Sequence, residues 1–404
     1  MTLPSPPFAT KDDTMNLRHL ATGSALALLL PGLAACTSNS PSGSTDEGGD
    51  PRAVSITSTD DGCEVSTTEV PEGALTFHVK NGGSKVTEFY LLGEDGLRIV
   101  GEVENIGPSL TRDLVVNVPA GSYTTACKPG MVGDGIRADF TVAESKDAEV
   151  DAGDQATVEQ AEKNYAAYVK DQSDQLLVKT TKFVDLYEAG KDDEARDLYA
   201  KARVHWERIE TVAESFGDLD PKMDAREADL EPGQKWTGWH RIEKDLWPKE
   251  ATDYTPLTDT ERKTYGQDLL ENTTTLDGRI KKLDFTVDQI ANGSRGLLEE
   301  VATGKVTGEE EAWSHTDLWD FQANVDGAKV GYDGVRPILV ANGNTKLAQQ
   351  LDSRFTELQK LLDQHKKGDG FVLYTELSTA ETKELSDAVN ALSEPLSKLT
   401  AAVV

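Results

Sequence analysis

Residues 114–131 read Leu114-Val115-Val116-Asn117-Val118-Pro119-Ala120-Gly121-Ser122-Tyr123-Thr124-Thr125-Ala126-Cys127-Lys128-Pro129-Gly130-Met131. Leu114 to Val118 has the period of two of a pleated strand, Pro119-Ala120-Gly121 is a turn, and a second strand runs to Cys127. Working outward, the same period recurs in Leu75 to Val79, Val86 to Leu92 and Ala138 to Val142. Pro71-Glu72-Gly73, Asn81-Gly82-Gly83 and Gly93-Glu94-Asp95-Gly96 punctuate these runs. Glycine, proline and asparagine at such points supply the backbone angles that turns demand. Short strands with regular turns predict a small β-sandwich over residues 52–143.

Beyond an acidic, polar linker at 144–155 the period becomes 3.6. Tyr165, Val169, Leu176 and Val184 share one helical stripe. Asp192 to Ser215 reads as a second helix, closed by Gly217. Further helices are expected over Tyr265 to Ile290, Ser294 to Ala302, Leu318 to Val330, Ala348 to Gln364 and Ala380 to Leu399. Helices of this kind joined by short loops predict an all-helical bundle over residues 156–402.

The whole chain has 404 residues, which favours two or three domains. It carries 41 basic and 71 acidic residues, a net charge of −30. Such a surface repels polyanions and excludes ordinary nucleic-acid binding, while it suits cation capture. No apolar run approaches the length of a polytopic protein's spans. Residues 15–36, Met15 to Cys36, carry a short basic start, an apolar stretch and a small-residue exit, which is a secretory signal. Leu33-Ala34-Ala35-Cys36 resembles a lipoprotein signal-peptidase box, so Cys36 is expected to be the lipidated mature N-terminus. The Ser/Gly/Asp/Pro-rich residues 37–51 read as a flexible tether.

Candidate chemistry begins at Gly238-Trp239-His240-Arg241-Ile242-Glu243. His240 and Glu243 stand three apart, so an imidazole and a carboxylate leave one helical face and can share a metal ion. Alone, this spacing also describes a surface ion pair. Upstream, Glu207, Glu210 and Glu214 form a carboxylate stripe, either solvated or turned inward as hard oxygen ligands. Ser314 and Thr316 read as N-caps of the helix near Leu318, with His315 and Asp317 as ligands or caps.

Gly238-Trp239-His240-Arg241-Ile242-Glu243 resembles the Gly-x-His-x-x-Glu motif of the imelysin family. The strand, Cys127, turn and Met131 resemble the end of a cupredoxin domain. With residues 205–210, 214–229 and 296–328, these motifs resemble the EfeO-type iron-uptake lipoproteins, in order, over residues 52–400. The resemblance implies an extracytoplasmic, lipid-anchored protein of the cell surface or periplasm that binds iron. It implies delivery to a membrane iron permease, with a haem peroxidase as the usual third partner. His240 and Glu243 would be metal ligands, joined by Glu207, Glu210 and then Asp268. In the β domain Cys63, Glu88 and Cys127 fall where such domains are proposed to hold a metal, with Met131 a further soft candidate. That set favours copper and tolerates iron. The only histidine of the domain is His78, which argues against a blue-copper centre. With Cys36 lipidated, Cys63 and Cys127 can equally form a disulfide. The alternative function is a copper- or iron-dependent ferroxidase acting before transport. Zinc peptidase chemistry is disfavoured, since Arg241 and Lys244 stand where His-Glu-x-x-His needs its base and second imidazole.

Overall fold

A computed structural model describes residues 50–145, 155–230 and 233–404. Nine strands build the N-terminal domain: β1 (Ala53–Ser58), β2 (Cys63–Val65), β3 (Glu69–Pro71), β4 (Gly73–Asn81), β5 (Thr87–Leu92), β6 (Ile99–Ile106), β7 (Thr111–Val118), β8 (Gly121–Cys127) and β9 (Ile136–Ala143). They form two sheets, ordered β2-β1-β4-β7 and β3-β9-β8-β5-β6. β1 lies parallel to β4 and β3 parallel to β9, while the other pairs are antiparallel. Alternate residues of both sheets meet in a dry core around Phe77, Phe89 and Phe140, with ring centroids 5.2 and 5.5 Å from Phe77. This is a cupredoxin-like β-sandwich.

β5 departs from a half-buried strand, because all six of its residues are buried. Phe89 and Leu91 enter the sandwich core, while Tyr90 and Leu92 form a separate cluster with Ala126 and Ile99 on the other face. That outer face looks across a cleft at the helices.

The helices are α1 (Gln155–Glu188), α2 (Asp192–Glu207), α3 (Glu210–Glu214), α4 (Asp220–Met223), α5 (Trp239–Leu246), α6 (Asp259–Ile280), α7 (Val287–Thr303), α8 (Asp317–Ala341), α9 (Thr345–Leu362), α10 (Thr379–Leu396) and α11 (Leu399–Val403). One apolar core of leucine, valine, isoleucine and aromatic side chains joins them. Thr258 and Ser378 close capping boxes with Glu261 and Glu381, which start α6 and α10.

Two expected helices are in fact broken. The stretch from Asp192 to Ser215 divides at Arg208-Ile209, where Ile209 leaves helical geometry (φ −128°, ψ 17°). Asn324 Nδ2 donates to the Glu207 carbonyl at 2.8 Å, engaging an acceptor that an unbroken helix would use. α8 crosses close by, since a Cβ on Gly327 would sit 2.4 Å from the Arg208 carbonyl oxygen. The stretch from Tyr265 to Ile290 divides between Ile280 and Val287.

The sandwich docks on α3 and α7 through backbone contacts. Ile99 N–H donates to the Ser215 carbonyl (3.0 Å), Asn292 Nδ2 to the Val115 carbonyl (2.8 Å) and Asn117 N–H to Asp288 Oδ2 (2.8 Å).

Cys63 and Cys127 are joined by a disulfide with Cα atoms 5.7 Å apart, closing a separation of 64 residues. Loop-closure entropy for such a span is about 4 kcal/mol. Cys63→Ser with Cys127→Ser is expected to lower the stability of the β domain by about 2–4 kcal/mol in denaturant titration.

Candidate metal centre

Gly238 decides where α5 begins. Its backbone is left-handed (φ 89°), and a Cβ there would lie 2.1 Å from the Met223 carbonyl oxygen and 2.8 Å from that of Lys222. Only glycine fits that approach. The helix starting at Trp239 then turns both His240 and Glu243 inward, 1% and 0% exposed. Gly238→Ala is expected to cost about 2–3 kcal/mol, measured by denaturation, and to weaken metal retention by shifting that turn.

Glu243 is held firmly. Its Oε1 accepts from the backbone N–H groups of Trp313 (2.9 Å) and Ser314 (2.7 Å), which pins the loop before α8 to α5. Its Oε2 stands 3.3 Å from His240 Nδ1. His240 Nε2 is buried without a hydrogen bond, 3.4 Å from Asp224 Oδ1 and 3.4 Å from Glu310 Oε1. Three groups here bring their ligand atoms within 4.8 Å of one another: Asp224, His240 and Glu310; His240, Glu243 and Glu311; and Glu207, Glu210, Asp224 and Glu310.

Two fixed cations share this interior. Arg203 is fully buried and pairs with Glu207, Asp224, Glu310 (3.3 Å) and Glu311 (2.7 Å), with Asp320 at 3.8 Å. Lys305, on a turn after α7, is 1% exposed and its Nζ donates to Glu207 and Glu210 at 2.7 Å each. Glu207, Glu210, Asp224, Glu243, Glu310, Glu311 and Asp320 thus outnumber Arg203, Lys305 and the His240 imidazole.

The site relieves that excess by holding protons. Burial, then the neighbouring Glu311, pushes Glu243 up to about 7. Burial, then Glu207 and Glu311, holds Asp320 well above the usual carboxylate range, and neither of its oxygens has a hydrogen-bond partner. Burial and Arg203 pull His240 down, but the facing carboxylates outweigh them and hold the imidazole well above its ordinary value. At Glu310 burial is outweighed by Lys305 and His240, which bring it down to about 2. Such a cluster suits a hard, highly charged cation that can displace protons.

The residues expected from sequence divide. His240 and Glu243 lie together at the centre. Glu207 and Glu210 are adjacent on either side of the break after α2, yet each is engaged by a resident cation. Asp268 is a correction: it is half-buried on α6, accepts from Asn272 Nδ2 at 3.3 Å and joins none of these groups. Ser314 caps no helix, since its hydroxyl donates to Glu311 Oε2 (2.8 Å). Thr316 occupies the N-cap position of α8 without a side-chain capping bond, its hydroxyl instead sharing a 2.9 Å hydrogen bond with that of Ser314. Asp317 Oδ1 accepts from the Glu311 N–H (3.1 Å). Sequence reasoning did not single out Asp224, Glu310 and Glu311, which the structure brings into these groups. They lie in acidic loops, where no period marks the one side chain that turns inward.

In the β domain the three residues read as a possible metal set do not converge. The disulfide consumes both thiols. Cys127 faces the sandwich core beside Phe89, whereas Glu88 points to the opposite face, accepting from Tyr90 Oη at 2.8 Å. Met131 is 43% exposed, and His78 pairs with Asp113 at 2.7 Å on an exposed surface.

The cleft between sandwich and bundle reaches this centre. Tyr90, Lys128 and Met131 line one wall, Glu214 and Glu300 the other, and Asp224 and Glu310 lie within it.

A family model described as imelysin matches residues 161–399, and one described as a cupredoxin-like domain matches residues 26–142. The iron uptake system component EfeO of Escherichia coli (strain K12) is 35% identical over 356 residues, 86% of this chain and 90% of that protein. An Efem/EfeO family lipoprotein of Staphylococcus haemolyticus (strain JCSC1435) is 44% identical over 247 residues, 60% of this chain and 84% of that protein.

Proposed function

The chain belongs to the imelysin family, among the EfeO-type iron-uptake components, and on that premise we propose that it captures iron outside the cytoplasm and hands it to a membrane permease. The observation that carries this reading is the Nε2 of His240, buried without a hydrogen bond and 3.4 Å from both Asp224 and Glu310 in an interior with excess carboxylates. Hard oxygen donors with one imidazole suit iron. The cargo enters along the cleft and takes its place against Asp224, His240 and Glu310, with Glu243 and Glu311 on the other edge of the imidazole. Entry releases protons from His240 and Glu243, so capture is favoured at neutral pH and release by acidification. In the β domain Cys63 and Cys127 are consumed by the disulfide, which supports a position in the bundle for the cargo. The direct test is iron content after desalting: wild type retains iron, and the His240→Ala, Glu243→Ala double variant does not.

The permease is the proposed recipient, with a haem peroxidase as a further partner. The signal segment 15–36, including Cys36, lies outside the described residues. Among those residues no helix is long and apolar enough to cross a membrane. We propose attachment through lipidated Cys36, where two acyl chains give firm anchoring. Cys36→Ser is expected to release the protein from the membrane fraction, and continued partitioning into detergent would refute the anchor.

A further inference from the structure

Lys305 has no obvious reason to be buried. A lone ammonium taken out of water carries a large desolvation cost, and an apolar side chain of similar length would suit a helical core better. The ammonium instead sits against Glu207 and Glu210, 2.7 Å from an oxygen of each. These two carboxylates, with Asp224 and Glu310, form a four-carboxylate group whose ligand atoms lie within 4.8 Å of one another. A second observation marks the same group as a cation position. His240 Nε2, 1% exposed and without a hydrogen bond, is aimed at its members Asp224 and Glu310. The group is therefore shared: one side faces the imidazole and the other is closed by lysine. Asn324 Nδ2 fixes Glu210 Oε2 at 2.9 Å, so the carboxylates hold this arrangement whether or not a metal is near.

We propose that Lys305 is a built-in cation that sets the ion count of the centre, occupying a second position that Glu207, Glu210, Asp224 and Glu310 would otherwise offer to a hard di- or trivalent metal ion. This rests on the reading of the His240 group as a metal site and adds to it a residue that limits stoichiometry. With lysine in place, Glu207 and Glu210 are engaged and the cargo is confined to the His240 side. Without that charge, the four carboxylates, with Arg203 and with Arg226 3.5 Å from Glu310 as their remaining cations, recruit a further ion.

The test compares the full-length wild type with Lys305→Met, Lys305→Arg, His240→Ala and the Lys305→Met, His240→Ala double variant. Each is loaded with ferric citrate, desalted and analysed for bound iron per chain. Lys305→Met is expected to bind one more equivalent than wild type, and Lys305→Arg the wild-type number. The double variant should keep the extra ion while losing the one that depends on His240. An unchanged count in folded Lys305→Met overturns the proposal, even when His240→Ala still loses iron. Conversely, a gain in Lys305→Met with no loss in His240→Ala supports the lysine's role and refutes the His240 site. If Lys305→Met does not fold without metal, Lys305→Gln and refolding in ferric citrate decide the matter. Recovery of the helical signal with metal supports the proposal, because the ion replaces the missing charge. Failure of both variants to fold with metal present overturns it.

Discussion

Replacing His240 and Glu243 together by alanine is expected to lower iron affinity by at least about 100-fold, since loss of outer-shell partners alone costs 10–100-fold. Both side chains are buried, and His240 Nε2 makes no hydrogen bond while facing Asp224 and Glu310 at 3.4 Å. Calorimetric titration of the purified protein reads the effect, and an unchanged affinity would place iron elsewhere. The two positions differ in what else they do. Glu243 holds the loop before α8 through the N–H groups of Trp313 and Ser314, so alanine there also frees two buried donors. Glu243→Gln keeps an acceptor for them and removes only the charge. Retained stability with weakened iron binding in that variant separates ligation from loop anchoring.

Arg203→Met is expected to cost about 3–5 kcal/mol in the metal-free protein, the penalty for breaking a buried ion pair from one side. Its guanidinium is fully buried and pairs with Glu207, Asp224, Glu310 and Glu311. The pH dependence has a definite sign. In the wild type, burial at Asp224 is outweighed by Arg203, and Glu310 is brought down to about 2. Carboxylates with folded values below the unfolded value of about 4 stabilise the fold above that pH, and the contribution is lost as pH falls toward 2. Without Arg203, burial prevails at Asp224 and its folded value rises, so acid no longer removes stability there. The gap between variant and wild type should narrow as pH falls from about 4 toward 2 in urea titrations. Bound iron should narrow it at constant pH, by supplying the missing positive charge. A gap independent of both would show that Arg203 acts through packing alone.

The two domains were legible because burial imposes a period on a chain. Leu114 to Val118 alternates as one face of a sheet must, and Tyr165, Val169, Leu176 and Val184 recur as a buried helix face must. His240 and Glu243 were legible as a pair because a spacing of three is local geometry, and Gly238 stood out with them only through the resemblance to the Gly-x-His-x-x-Glu motif. What covers a face is a long-range matter. β5 is buried on both sides, its outer face covered by sandwich side chains at the cleft toward the helices, and nothing in Thr87 to Leu92 says so. The break at Arg208-Ile209 meets Asn324 and Gly327 on α8, far along the chain, and Lys305, as distant in sequence, pairs with Glu207 and Glu210 on either side of it. Asp224, Glu310 and Glu311 sit in acidic loops where one carboxylate resembles the next. By itself the sequence determined the two folds and the central His240–Glu243 pair. Only the tertiary structure decided which other charges surround them, because the partner of a buried charge is chosen by packing between elements and not by its neighbours along the chain.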